Sequence, residues 1–175
     1  CMGHRPEGRS VTAHQSAILM PPALIPQAKS VVCQSGRAAA ILSGRGGKKT
    51  DMAYVDIAGG RLHYLRQGIG TGVLLVHGAG SSSRMWCALM DQLDTRFTVY
   101  AFGLRGYGRS PARDGWTLDG ATADLVHAVE KLELSALHVV GISAGAQIAV
   151  MVQARCPERV RSLVLCGGLI AGNRA

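Results

Sequence analysis

The chain of 175 residues is long enough for one domain with a real core, and 47% hydrophobic against 17% charged residues exclude a chain that is disordered throughout. The formal charge of +8 is concentrated at the start: residues 1–50 hold seven Lys or Arg against a single acid, Glu7, while residues 51–175 are nearly balanced. The folded part is therefore not expected to bind nucleic acid.

Residues 1–51 read as a basic leader rich in Arg, Ser, Gly, Ala and Pro, with neither helical nor strand periodicity. A targeting segment and an upstream extension of the reading frame both fit that texture, and Met52 is a natural starting point. The stretch "GRGGKKT" fails as a phosphate loop, because Leu42 stands where the first glycine is needed and Lys48 is not followed by Ser or Thr. The longest apolar run here, "AILMPPALIP", is broken by Pro21, Pro22 and Pro26, so no stable membrane insertion is expected. The cysteines, Cys1, Cys33, Cys87, Cys156 and Cys166, form no C-x-x-C pair and suggest neither a disulfide framework nor a metal site. Cys87, Cys156 and Cys166 lie in apolar stretches, which predicts buried thiols in a reducing, cytoplasmic compartment.

From residue 52 to residue 175 the pattern is that of one folded unit. "YVDIAGGRLHYLRQG" predicts two strands joined at Ala58-Gly59-Gly60. "GVLLVHG" is a continuous apolar run suited to a strand covered on both faces, and "RMWCALMDQL" predicts a helix capped by Ser83. "RFTVYAFG" is a further strand. Leu118, Thr122, Leu125, Val129 and Leu132 recur on one face of a helix over about 118–132. "LHVVGIS" predicts a strand, "AGAQIAVMVQARC" a helix stopped by Pro157, and "RSLVLCGG" a last strand. Strands alternating with helices predict an α/β fold with a mostly parallel sheet and flanking helices, reaching about its sixth strand at the end of the chain.

Within that order, Gly141-Ile142-Ser143-Ala144-Gly145 falls between a buried strand and a helix, the setting that a G-x-S-x-G nucleophile turn requires. The turn strains the serine backbone, and side chains at 141 and 145 would collide with neighbouring chain. Ser143 is the candidate nucleophile, its hydroxyl raised at a helix start where N–H groups favour developing negative charge.

Residues 52–170 resemble the N-terminal half of an α/β-hydrolase of the esterase, lactonase and C–C hydrolase branch. The resemblance rests on "RLHYLRQG", "VLLVHGAGSSSRMW", "FGLRGYGRSP", "LHVVGISAGAQIAV" and "PERVRSLVLCGG", in that family's order. It implies that Ser143 is acylated, that the backbone N–H groups of Ala79 and Ala144 form an oxyanion hole, that Gly78, Gly141 and Gly145 are motif glycines, and that no metal or organic cofactor is required. Two positions depart from the family: Gly103 stands where an aspartate is usual, and Ala146 where a second glycine is usual. Loss of that carboxylate puts the geometry of the loops beside the site in question.

A serine nucleophile needs a base and an orienting carboxylate. The family's Asp or Glu and His come after strands that would follow Ala175. His4, His14, His63, His77, His127 and His138 all fit structural or solvated places, and Asp114, Asp119 and Asp124 read as loop, cap or exposed helix residues. Without a further strand, the edge of "SLVLCGG" is expected to be uncovered. The sequence thus points to a serine hydrolase opening an ester, lactone or related acyl bond of a small molecule, with the 175 residues inactive alone. Serine at 143 argues against dehalogenase or epoxide hydrolase chemistry, which needs a carboxylate nucleophile. The alternative is a non-catalytic or degenerate protein on the same fold, or a partial gene product. Transfer of the acyl group to an alcohol or peroxide is a third outcome.

Overall fold

The computed structural model describes residues 29–33, 50–112 and 115–168. The strands are β1 (Lys29–Cys33), β2 (Asp51–Ile57), β3 (Gly60–Gln67), β4 (Thr71–Val76), β5 (Phe97–Phe102), β6 (Leu137–Ile142) and β7 (Val160–Cys166). The helices are α1 (Cys87–Leu93), α2 (Leu118–Lys131) and α3 (Ala144–Arg155). The sheet order is β1-β7-β6-β4-β5-β3-β2, parallel from β1 to β5 and antiparallel where β3 and β2 join. The predicted α/β architecture is thus the observed one. The β2–β3 hairpin closes on Ala58 and Gly59, the latter at φ 77°, which glycine adopts without steric cost.

β4 is apolar throughout because it is covered on both sides. Leu74 and Val76 join the core under α2 and α3, with Leu125, Val129, Ile148 and Val152. Val73 and Leu75 face the opposite way, onto Trp86 and Met90 of the α1 side. Period-2 alternation would have left one of these faces polar. α2 begins at Thr117, whose hydroxyl accepts the Gly120 N–H at 2.9 Å.

Four expectations are corrected. The leader contributes a strand: β1 pairs in parallel with β7 from Lys29↔Ser162 to Cys33↔Cys166, so the β7 edge is covered. Five residues, "KSVVC", are too few to register as periodic, yet they satisfy backbone groups that an edge leaves unpaired. Readings of residues 1–28 and 34–49 lie outside the described residues. Ser83 does not cap α1; residues Ser83–Trp86 form a 3₁₀ turn and Trp86 occupies the cap position. Cys87 is exposed, Cys156 buried and Cys166 half-buried. His138 lies within β6, its Nδ1 2.7 Å from Ser162 Oγ. Among the described residues no helix is long and apolar enough to cross a membrane.

Asp124 is the fourth correction, because it is buried and not exposed. Arg105 grips it bidentately, Nε donating to Oδ2 and Nη2 to Oδ1, each at 2.6 Å, and Nη2 also donates to the Gly120 carbonyl at 2.8 Å. With side chains only 12% and 6% exposed, this pair is shielded from water and fastens the loop after β5 to α2. Removing one partner leaves the other charge buried and unpaired. Asp124→Ala is therefore expected to lower unfolding stability by about 3 kcal/mol in urea denaturation, and an Asp124→Ala/Arg105→Met pair to recover most of that loss.

Candidate active site

Ser143 joins β6 to α3 at φ 54° and ψ −122°, a conformation that non-glycine residues rarely adopt. Its N–H donates to the Cys166 carbonyl at 2.8 Å, and its own carbonyl accepts the Ala146 N–H at 3.0 Å. The side chain is exposed and makes no capping bond to α3. Glycine is obligatory on both sides of it. A Cβ on Gly141 would lie 2.3 Å from the Gly145 carbonyl oxygen, and a Cβ on Gly145 would lie 2.3 Å from Val76 O and 2.5 Å from His77 O. All three are backbone oxygens that cannot swing away.

The loop after β4 lies against this turn. A Cβ on Gly78 would sit 3.1 Å from both Ile142 O and Ser143 Cβ, and 3.7 Å from Ser143 Oγ. Ala79 follows, exposed, and Ala144 opens α3. The Gly78–Ala79 peptide is aimed by His77, which is fully buried. Its Nε2 accepts the Leu104 N–H at 3.0 Å, so its proton resides on Nδ1, which donates to Gly78 O at 2.7 Å. Because the peptide is planar and trans, the held carbonyl also fixes the direction of the Ala79 N–H, opposite to it. Burial pushes the His77 pKa down, with the bond to Gly78 partly opposing, and protonation would set two donors against each other at Nε2.

The loop 103–110 needs no carboxylate at 103 to hold its shape. Gly103 N–H donates to His63 O at 2.9 Å, Ser110 Oγ donates to Gly103 O at 2.6 Å, and His63 N–H donates to Ser110 Oγ at 3.0 Å. A Cβ at 103 would be 3.1 Å from Ser110 Oγ, so the hydroxyl fills the place a side chain would need. Tyr107, edge-on to His77 with ring centroids 5.6 Å apart, packs this loop on the Gly78 loop. Sequence reasoning passed over Ser110 and His77 in these roles. The signal for Ser110 was its place seven residues after a strand end that departs from the family pattern.

The other titratable candidates sit elsewhere. His63 is buried in β3, His127 Nδ1 accepts the Ala58 N–H at 3.1 Å, and Asp119 pairs with Arg155 at the surface. Asp114 lies outside the described residues. Among the described residues no histidine is hydrogen-bonded to Ser143.

Comparison with known proteins places this geometry in context. The sequence pattern of the alpha/beta hydrolase fold matches residues 72–173. A pimeloyl-(acyl-carrier protein) methyl ester esterase of Chromobacterium violaceum is 40% identical over 98 residues, 56% of this chain and 37% of its own. The dihydrolipoyllysine-residue acetyltransferase component of an acetoin cleaving system in Cupriavidus necator is 34% identical over 114 residues, 64% of this chain and 30% of its own. The crystal structure of a haloalkane dehalogenase from Agrobacterium tumefaciens C58 superposes with a TM-score of 0.67 at 25% identity, covering 70% of this chain and 42% of that one. The chain thus spans about a third of the length of these curated relatives.

His63 and His77 are both held below the ordinary histidine value of 6.5, in each case chiefly by burial. A depressed histidine is neutral when folded, whereas the unfolded chain takes up the proton. Stability is then complete above about pH 6.5 and falls as the pH drops through that value. The urea midpoint is expected to decrease from pH 7.5 to 5.5, and His77→Asn is expected to flatten the decrease. A midpoint independent of pH would contradict the neutral assignment.

Proposed function

The chain belongs to the alpha/beta hydrolase fold family, and on that premise we propose that Ser143 attacks the carbonyl carbon of an ester, lactone or related acyl bond in a small-molecule substrate. The observation that carries this reading is the exposed, strained Ser143 with its hydroxyl unengaged by α3 and the Gly78 backbone pressed against it. Names of two relatives support the acyl class, since one is a methyl ester esterase and the other an acetyltransferase component.

In the proposed sequence a base takes the Ser143 proton as Oγ bonds to the carbonyl carbon. Negative charge gathers on the former carbonyl oxygen, to which the Ala79 and Ala144 N–H groups donate hydrogen bonds. Such donors are effective because they are fixed before the charge appears, and losing one slows acyl transfer by about a hundredfold or more. The alcohol departs with the proton, leaving the acyl group on Oγ; water, deprotonated by the same base, then releases the acid and restores the serine. A neutral hydroxyl at 143 suits this acyl chemistry and not displacement by a carboxylate. The base and its orienting acid are assigned to a His and an Asp or Glu outside the described residues, and the activity to the whole protein.

His77 is a positioning residue in this scheme, since it touches no reacting atom but sets the Ala79 N–H through Gly78 O. His77→Ala is expected to lower kcat by about tenfold to a hundredfold with little change in KM, because displacement of a donor by a fraction of an ångström is felt in the transition state. His77→Asn, which keeps a donor toward Gly78 O, should restore part of the rate. For the nucleophile itself, a fluorophosphonate probe applied to the full-length protein should add its phosphonyl group to the peptide containing Ser143, and Ser143→Ala should remove the label. Folded full-length protein that resists labelling would leave a non-catalytic member of the fold as the reading.

A further inference from the structure

The strand β1 brings together two cysteines that no sequence spacing announces. Its register on β7 runs from Lys29↔Ser162 to Cys33↔Cys166, so Cys33 and Cys166 are direct partners in neighbouring parallel strands. Neighbouring strands lie about 4.8 Å apart, and a disulfide needs its two Cα atoms about 4.4–6.8 Å apart, so the backbone spacing of this pair suits the bond. Each residue is also the last of its strand, where no further ladder pair fixes the separation, and Gly167 follows Cys166 at φ 60°. The other described cysteines are placed elsewhere. Cys87 stands beside His63 and Leu65 of β3, four strands from β7 in the sheet order. That is a lateral distance of about 19 Å at the usual strand spacing. Cys156 is buried, its Sγ donates to Val152 O at 3.1 Å, and burial pushes its thiol pKa up, which keeps it protonated and inert.

We propose that Cys33 and Cys166 are a redox-active pair that closes a disulfide within one chain when the protein meets a small-molecule disulfide such as oxidised glutathione. One cysteine thiolate attacks a sulfur of the small disulfide, breaks its S–S bond, and releases one thiol once the leaving sulfur takes up a proton. The second cysteine thiolate attacks the protein sulfur of the resulting mixed disulfide and expels the other small thiol. The two cysteines give up two electrons and two protons, and the small disulfide becomes two thiols; excess thiol reverses the exchange. The bond turns a strand held to β7 by its ladder into one fastened covalently. It does so at the residue whose carbonyl accepts the Ser143 N–H at 2.8 Å. In a reducing compartment, disulfides that form and open in this way serve sensing, so the pair couples the thiol status of the surroundings to the covering of the β7 edge. No step involves the Ser143 hydroxyl, so the pair stands apart from the acyl chemistry proposed above.

Incubation of the whole chain with oxidised glutathione at low protein concentration, followed by alkylation of the remaining thiols and peptide mass spectrometry without reductant, tests the pairing. The expected product runs at the mass of one chain and joins the peptides containing Cys33 and Cys166, two hydrogen atoms lighter than the reduced pair; dithiothreitol restores both thiols. The oxidised chain should have a urea midpoint higher by about 1 M, because a cross-link over so long a loop restricts the unfolded chain. Cys87→Ser should leave the bond and the midpoint shift intact, and Cys33→Ser should remove both. Val31→Pro/Val32→Pro keeps both cysteines but takes away a ladder donor, since successive N–H groups of a strand face opposite edges and one of the two faces β7. That variant should close the bond about tenfold more slowly or worse, through loss of the effective concentration the ladder supplies. A different cysteine pair as the main product, a bond formed only between chains, glutathione retained on Cys166 with no Cys33–Cys166 bond, or closure as fast in the proline variant as in the parent would overturn the proposal.

Discussion

The approach of Gly145 to the end of β4 is the contact on which the rest of the site depends. With Val76 O and His77 O within 2.5 Å of where a Cβ would stand, α3 can begin directly over the central strand only because residue 145 carries no side chain. That proximity brings the start of α3 beside the Gly78 loop, and it forces the chain between β6 and α3 through φ 54° at Ser143. A strained residue of this kind costs about 1–3 kcal/mol and persists only where its surroundings over-determine it. Here β6 fixes one side, α3 the other, and the Ser143 N–H to Cys166 O bond ties the turn to β7 as well.

His77 extends that constraint from the turn to the loops. Its two nitrogens join Gly78 O and Leu104 N, so a single neutral ring sets the Gly78–Ala79 peptide and the start of loop 103–110 together. The loop is held at its other end by Ser110 and, through Arg105, by Asp124 on α2. Exposed Trp116 lies edge-on to Tyr107, which lies edge-on to His77, so aromatic packing runs from the surface to the buried ring. None of these groups reaches Ser143, yet each limits how far the Gly78 loop can depart from it.

What the sequence made legible follows from how local the cause is. The strands and helices of residues 51–166 could be read because apolar spacing is a property of neighbours in the chain. Gly141 and Gly145 could be read because a turn between a strand and a helix restricts residue type at fixed offsets. The Arg105–Asp124 pair could not be read that way, since it joins a loop to a helix 19 residues away. A hint was present: Asp124 lies one turn from Ala121 and Ala128, both wholly buried, and a carboxylate on that face requires a cation. The loop at Gly103 misled for a related reason. Absence of the usual carboxylate suggested a loop without support, but the support is a hydroxyl from Ser110 acting on backbone, which no residue pattern at 103 reveals. β1 was hidden because pairing with β7, and not its own composition, makes it a strand.

Two hydroxyl residues at helix starts in this protein separate stability from chemistry. Thr117 has extended backbone, φ −134° and ψ 153°, which turns its hydroxyl back onto the Gly120 N–H and caps α2. Such a bond contributes about 1 kcal/mol. Ser143 occupies the corresponding place before α3, but at φ 54° and ψ −122° its hydroxyl makes no cap bond. The same residue class in the same position therefore forgoes the capping bond and carries backbone strain besides. That arrangement leaves Oγ without a cap bond at the start of α3, beside the Ala144 N–H, which is where an attacking oxygen and a developing oxyanion would both need to be.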